Sequence, residues 1–222
     1  FGRWYLKSVG RVICNCTATR DLVTELDVHS KPVVVAPPAG SKFDITADDV
    51  DFSHRRREQP VQILFVGHIS RKKGLDTLID GIANAEIDAE LTVVGRLTDN
   101  NYMSEIRQQI LNNGLNEQVT FTGELYGDEL KSEYQKTNIF AVPARYEAFG
   151  IVYAEAMSFG HPVIASSAGG ASDIVTHGKT GFLVDPNDPS GVADAITTLG
   201  EDPERLAQMG RAARRQYESH PD

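Results

Sequence analysis

The sequence has no long apolar run and no excess of basic residues, and it contains only two cysteines. No stretch approaches the 18 consecutive apolar residues typical of a membrane-spanning helix, so none is expected. The formal net charge of -9 argues against general nucleic-acid binding, which needs a basic surface. Cys14 and Cys16 are too close for an unstrained disulfide and have no evident zinc partners. We expect two buried thiols in a reducing compartment.

The composition is that of a globular chain, with 41% apolar and 24% charged residues. Its 222 residues suffice for one large domain, or for one domain and a piece of another. The chain begins at Phe1, without an initiator Met and without a signal-peptide pattern. We therefore expect it to be cut from a longer protein.

From Pro60 onward, strand and helix patterns alternate regularly. The predicted strands are 61–67, 90–95, 118–123, 138–143, 162–166 and 181–184. The predicted helices are 73–85, 101–113, 128–136 and 150–159, a short one ending at His177, and two beginning at Pro189 and Pro203. Strands this apolar are covered on both faces, so the pattern predicts an α/β fold with a doubly wound, parallel, Rossmann-like sheet. Ligands of such sheets bind at the carboxyl ends of the strands, where the strand order reverses.

The first 59 residues follow a different pattern. A strand is predicted over 9–14, a helix over 17–26 with Thr17 as its cap, and a strand over 32–36. This piece is too small to bury its own core. We expect residues 1–45 to be the end of an earlier α/β domain, 46–59 a polar linker, and 60–222 the main domain.

Two glutamates, Glu147 and Glu155, stand eight positions apart across a predicted strand-to-helix turn. Gly150 permits an unusual backbone or a close ligand approach at that turn. The amides that follow it lie at a helix N-terminus, which favours anions. A carboxylate can also accept hydroxyl hydrogen bonds from a sugar or a ribose. The alternative is that both glutamates are ordinary surface acids.

Two glycine-containing loops follow predicted strands. The loop from Gly67 to Gly74 carries Arg71, Lys72 and Lys73, which could donate to a diphosphate, although a solvated basic turn remains an alternative. The second loop, at Gly169-Gly170, could be an anion-binding turn or a tight connection. In that loop Asp173 is either a cap or a substrate contact.

These three features, in this order, resemble the C-terminal domain of the GT-B-fold, retaining glycosyltransferases of family 4. The resemblance covers residues 60–219 continuously and 1–45 more loosely. It is carried by VQILFVGHISRKKG, LTVVG, VTFTGEL, IFAVPARYEAFGIVYAEAMSFGHPVIASSAGGASDIV and GKTGFLVDPND. It implies that residues 60–222 form a nucleotide-sugar-binding domain and that 1–45 end the acceptor-side domain.

The resemblance also implies roles for individual residues. Lys73 should bind the donor diphosphate, and Glu155 should hold the ribose hydroxyls. Glu147 should act in catalysis by contacting the transferred sugar or the charge at its anomeric carbon. The backbone amides implied to face sugar and phosphate are those of Phe149, Gly150, Ile151 and Val152. The loops implied to surround the base contain Gly95, Gly123 and Leu125.

The sequence departs from the family pattern at two positions. The family commonly has Arg where His68 stands, so either His68 or Arg71 is expected to supply the missing cation. The family's Glu after the Gly-Gly turn is Asp173 here, which is one methylene shorter. The family's catalytic His belongs to a part of the enzyme that precedes this chain, and no residue here takes that role.

The implied function is transfer of a sugar from a nucleotide-diphosphate donor to a sugar, lipid or small-molecule acceptor. The donor is a substrate, and no cofactor or metal is implied; Asp49 and Asp51 match a metal-binding Asp-x-Asp string only by chance. The chain alone should bind donor without catalysing transfer. A cytoplasmic location is implied, with room for peripheral membrane association of the longer enzyme. The alternatives are a non-catalytic nucleotide-sugar-binding module and a GT-B-fold sugar-nucleotide epimerase.

Overall fold

The computed structural model describes residues 9–26, 32–36, 43, 45, 50 and 60–219. Within these ranges, two strands near the N-terminus form a small parallel sheet, and six later strands form the main sheet. The strands are β1 (Val12–Cys14), β2 (Val33–Val35), β3 (Val61–Val66), β4 (Ala89–Val94), β5 (Val119–Gly123), β6 (Ile139–Val142), β7 (Val163–Ser166) and β8 (Gly181–Val184).

The main sheet is entirely parallel and has the strand order β5-β4-β3-β6-β7-β8. The order therefore runs outward in both directions from the central pair β3 and β6. This arrangement confirms the predicted doubly wound, parallel α/β fold. The point between β3 and β6 is where such sheets place their ligands.

The helices are α1 (Thr17–Glu25), α2 (Leu75–Asn84), α3 (Asn100–Asn112), α4 (Gly127–Lys136), α5 (Ile151–Ser158), α6 (Pro189–Glu201) and α7 (Pro203–Glu218). Helix α2 packs against α3 and α6, whereas α5 packs against α7. Right-handed crossovers place helices on opposite faces of a sheet when the strand order reverses. Both faces of the central strands are covered as a result, and every residue of β6 is buried.

Most predicted bounds differ from the observed ones by a residue or two, and four details differ for a physical reason. The helix expected from Lys73 begins at Leu75, because Gly74 has a left-handed φ of 70° and separates it from a single 3-10 turn over Arg71–Lys73. The short helix after the Gly-Gly pair is a 3-10 turn, Gly170–Asp173. The first strand begins at Val12 instead of Val9. The fourth difference concerns the cap of α1.

The expected cap of α1, Thr17, is wrong: the N-cap is Cys16, whose sulfur accepts a hydrogen bond from the Thr19 amide. Cysteine is not a usual capping residue, which is why the sequence pattern favoured Thr17. Both cysteines are free and buried, as expected. Ile13 and Val34 on the small sheet are 68% and 43% exposed, so that sheet leaves apolar surface uncovered.

Candidate functional site

The loops that follow β3 and β6 meet at the switch point of the sheet. The Arg145 amide donates to the Lys72 carbonyl at 2.9 Å. Gly74 approaches the second loop so closely that an added Cβ would lie 2.1 Å from the Pro143 carbonyl oxygen. The loops after β3 and β6 are therefore in backbone contact, which fixes the side chains that they carry.

Lys73 and Glu147 form an ion pair across this junction. The Lys73 ammonium donates to Glu147 Oε2 at 2.6 Å, and the two side chains are 25% and 14% exposed. Partial burial makes such a pair stronger than one on the open surface. The sequence placed these residues on separate loops, and the fold brings them together.

Helix α5 begins directly after the loop that carries Glu147. Its N-cap, Gly150, has a φ of 87° and no side chain, so no side chain caps the helix. The first amides of a helix lack intrahelical acceptors and lie at the positive end of its dipole. The amides of Ile151 and Val152, the first of α5, therefore lie at its electropositive end, a few residues after Glu147 in the chain. Of the predicted segment 149–152, Phe149 is buried and Ile151 is exposed.

A cleft of about 290 Å³ opens at the carboxyl ends of β3, β4 and the loop after β5. It is lined by Val66, Gly67, His68, Lys73, Val94, Gly95, Arg96, Glu124, Leu125, Tyr126 and Leu130. Four of the predicted site residues, His68, Lys73, Gly95 and Leu125, thus share one cleft. The predicted Gly123 lies beside it, because its carbonyl accepts the Gly95 amide at 2.8 Å.

Sequence reasoning missed three polar residues of this cleft. They are Arg96, Glu124 and Tyr126, and each stands within three positions of a strand-ending glycine. Tyr126 is 68% exposed and donates to Glu124 Oε1 at 2.9 Å. That hydrogen bond raises the pKa of the Tyr126 phenol. The sequence signal that could have identified these three residues is their position shortly after a glycine that ends a predicted strand.

The two candidate cations of the β3 loop are placed differently. His68 lines the cleft. Arg71 instead donates to Glu105 at 2.5 Å and stacks on the Tyr102 ring, with its guanidinium carbon 5.1 Å from the ring centroid. The contact with Glu105 raises the pKa of Arg71. His68, and not Arg71, thus lines the cleft together with Lys73.

A second polar network braces the same junction and was also missed. Asp76 accepts two hydrogen bonds from the Arg145 guanidinium, at 3.0 and 2.6 Å, and one from the Tyr102 hydroxyl at 2.8 Å. Burial alone would raise the pKa of Asp76, but these hydrogen bonds hold it below its usual value. Since Asp76 lies on α2 and Arg145 after β6, the network ties the two loops together.

Glu155 is 3% exposed, and its Oε2 accepts a hydrogen bond from the Tyr134 hydroxyl at 3.1 Å. Burial, and then the nearby carboxylate, raise the pKa of Tyr134 well above its usual value. Glu155 does not line the 290 Å³ cleft described above. Tyr134 lies on α4, 21 positions away, and no pattern in the sequence indicated this contact.

Asp173 does not line that cleft either; its carboxylate accepts hydrogen bonds from Thr17 at the start of α1. Within the described residues, no three His, Cys, Asp or Glu side chains are close enough together to hold a metal ion. Asp49 and Asp51 lie outside the described residues. Across the same described ranges, each helix is too short or too polar to cross a lipid bilayer.

A larger groove, of about 680 Å³, lies between the turn at Gly178 and helix α7. It includes Lys179, Arg205 and Arg215 together with the acids Asp202 and Glu204. The turn precedes β8, so this groove lies toward the amino ends of the strands. The smaller cleft at the carboxyl ends, where Lys73 lies, is the better candidate for a ligand site.

A parallel, doubly wound sheet that brings Lys73, Glu147 and a helix N-terminus together at its switch point indicates a particular protein family. The profile of the family described as Glycosyl transferases group 1 matches residues 47–216. The chain therefore belongs to this family.

Two sequence relatives and one solved structure illustrate the similarity. The chain is 31% identical over 215 residues to the D-inositol 3-phosphate glycosyltransferase of Pseudarthrobacter chlorophenolicus, covering 91% of this chain and 50% of that protein. It is 35% identical over 171 residues to the GDP-mannose-dependent alpha-(1-6)-phosphatidylinositol monomannoside mannosyltransferase of Mycobacterium tuberculosis, covering 72% and 43%. A structure of Anabaena Alr3699/HepE in complex with UDP and glucose superimposes with a TM-score of 0.81 at 28% identity, covering 94% and 58%.

The chain spans about half the length of the curated relatives that it matches. The solved relative confirms the GT-B-type fold of this part, and its ligands are a nucleotide and a sugar.

Proposed function

We propose that this chain is the donor-binding part of a retaining glycosyltransferase that uses a nucleotide-diphosphate sugar. The observation that carries the proposal is the Lys73–Glu147 pair at the switch point of the sheet, 2.6 Å apart and beside the uncapped start of α5. A cation, a carboxylate and free amides converge there, and a sugar diphosphate offers a matching anion and hydroxyls.

Different parts of the site bind different parts of the donor. The diphosphate binds the Lys73 ammonium and the first amides of α5, which offer positive charge. An ammonium has three donors, so Lys73 can hold a phosphate oxygen and keep its contact with Glu147. The base enters the cleft beside Gly95 and Leu125. The family resemblance assigns the ribose to Glu155, although that side chain is buried outside the cleft.

The chemistry requires opposite charges on the two sides of the bond that breaks. The bond between the anomeric carbon and the diphosphate oxygen breaks, and its electron pair leaves with the diphosphate. Lys73 and the α5 amides stabilise that negative charge, and Glu147 stabilises the positive charge on the sugar ring. The acceptor hydroxyl oxygen then bonds to the same face of the carbon and gives up its proton to the departing diphosphate oxygen.

The acceptor, a sugar, a lipid or a small molecule, binds a part of the enzyme that precedes this chain. The positive charge of Lys73 and of the helix end makes a metal unnecessary for diphosphate binding. We propose a cytoplasmic enzyme, with peripheral membrane association as an option for the longer enzyme. The mannosyltransferase relative named above, whose acceptor by name is a phosphatidylinositol monomannoside, supports the option of membrane association.

The test is product analysis with the longer enzyme, a panel of UDP- and GDP-sugars and a chelator. The proposal expects nucleoside diphosphate release that depends on an acceptor, persists in the chelator and gives a product with the anomeric configuration of the donor. An epimerase would convert the donor without an acceptor, and a non-catalytic module would bind it unchanged. Either result would contradict the proposal.

A further inference from the structure

One carboxylate of the main domain binds the start of the N-terminal helix α1. Asp173, in the 3-10 turn after the Gly-Gly pair, accepts from the Thr17 amide at 2.6 Å and from the Thr17 hydroxyl at 2.5 Å. Thr17 is the first residue of α1, and the two residues are 156 positions apart. The contact therefore joins two segments that are distant in the chain.

Helix α1 depends on this carboxylate because its own N-terminus is poorly capped. Its N-cap, Cys16, offers only a sulfur, 3.3 Å from the Thr19 amide, and sulfur is a weak acceptor. The first turn of α1 contains no acidic residue. Asp173 thus supplies the negative charge that a helix N-terminus favours.

The turn that carries Asp173 also holds the backbone of Glu147. The Gly170 amide donates to the Glu147 carbonyl at 2.7 Å, and Gly169 pairs with Glu147 as a parallel bridge. An added Cβ on Gly169 would lie 2.2 Å from the Glu147 carbonyl oxygen. Glu147 is consequently held at its side chain by Lys73 and at its backbone by this turn.

The turn that carries Asp173 also packs against α1. An added Cβ on Gly170 would lie 2.7 Å from the Cys16 Cβ, so the start of α1 sits directly against the residue that bonds Glu147. The contacts form a continuous path from Thr17 through Asp173 and Gly170 to Glu147. A displacement of α1 would release the turn, and with it one of the two supports of Glu147.

We propose that Asp173 and Thr17 are positioning residues for Glu147. The N-terminal segment, through them, holds the Glu147 carboxylate where the transferred sugar binds. The role assigned to Glu147 rests on the proposed function, whereas the coupling between Asp173 and the Glu147 backbone does not. The two parts can therefore be tested separately.

The coupling is tested by hydrogen exchange of the Gly170 amide in the 222-residue chain. Asp173→Ala removes both acceptors of Thr17, and we expect exchange at Gly170 to rise about tenfold while β3 and β6 keep their protection. Thr17→Val, which retains the backbone donor, should give a smaller rise. Asp188→Ala is the matched control, because the Asp188 carboxylate accepts from the Ser190 amide at the start of a different helix, α6.

The positioning role is tested by comparing affinities for UDP with UDP-glucose and for GDP with GDP-mannose. Asp173→Ala should leave nucleoside diphosphate affinity unchanged and reduce the additional affinity that the sugar provides, with Asp173→Asn recovering part of it. General destabilisation would weaken both ligands of a pair alike. If the parent chain bound neither pair, the proposed function would fail, and the exchange result would still judge the coupling.

Unchanged exchange at Gly170 in Asp173→Ala would overturn the proposal. Increased exchange across the whole main sheet would show that this variant unfolds. In that case the milder Asp173→Asn and Thr17→Val variants decide, and the proposal fails if neither raises exchange at Gly170 above the rest of the sheet.

Discussion

The Lys73 ammonium lies 2.6 Å from Glu147 Oε2, although the two residues belong to loops after different strands of the sheet. Their contact depends on the close approach of the two loops, on which Gly74 and Arg145 also lie. The donor proposal gives the two partners different roles, so substitutions at this pair and around it should have separable effects.

Glu155 and Glu147 should bind different parts of the donor. Glu155→Gln should weaken nucleoside diphosphate and sugar nucleotide alike, by about tenfold, because the ribose is common to both. Glu147→Gln should leave nucleoside diphosphate binding almost intact and reduce transfer in the longer enzyme. Calorimetric titration and a transfer assay measure the two effects. The opposite pattern would show that the two roles are exchanged.

The cation beside Lys73 can be identified by substitution. His68→Arg places a permanent charge in the cleft and should tighten nucleoside diphosphate binding by up to about tenfold. Arg71→Ala should change that affinity little, because the Arg71 guanidinium is paired with Glu105. If Arg71→Ala lost much of the nucleoside diphosphate affinity and His68→Arg gained none, Arg71 would be the cation that acts with Lys73.

The close approach at Gly74 should be costly to disturb. Gly74→Ala must tolerate a φ of 70° and a Cβ 2.1 Å from the Pro143 carbonyl oxygen. Gly114→Ala is the matched control, since Gly114 has the same φ and nothing within 4 Å of an added Cβ. Urea unfolding should show a loss of about 1–2 kcal/mol for Gly114→Ala and a clearly larger loss for Gly74→Ala. Equal losses would mean that the loops separate easily.

The Asp76 network predicts a pH-dependent contribution to stability. The pKa of Asp76 lies below its unfolded value near 4, so its contribution is present above that pH and lost as the pH falls through the folded pKa. Asp76→Asn should cost about 1–2 kcal/mol at neutral pH, because the hydrogen bonds from Arg145 become weaker.

This difference between the parent and Asp76→Asn should shrink in strong acid, as measured by urea unfolding at several pH values. Asp80→Asn is the control, because Asp80 lies on the same helix and accepts from the neutral Asn113 amide. A pH-independent cost for Asp76→Asn would contradict the assigned ionisation.

The sequence predicted the main sheet because its apolar strands and intervening helices alternate clearly. Lys73 and Glu147 could be found because each closely follows a strand, where a parallel sheet presents its ligand loops. The partners of Glu155 and Asp173 could not, because Tyr134 and Thr17 come from elements that only tertiary packing brings near. The capping role of Cys16 was missed because cysteine rarely has it.

The most direct test of the donor site is a calorimetric titration of UDP and GDP into the parent chain, Lys73→Ala and Lys72→Ala. Lys72 is the matched control, an exposed lysine next to Lys73 that does not line the cleft. We predict saturable binding of a nucleoside diphosphate by the parent, about 10- to 100-fold weaker binding by Lys73→Ala, and near-parent affinity in Lys72→Ala. Equal affinity of the parent and Lys73→Ala, or binding of neither nucleotide by the parent, would contradict a donor site at this junction.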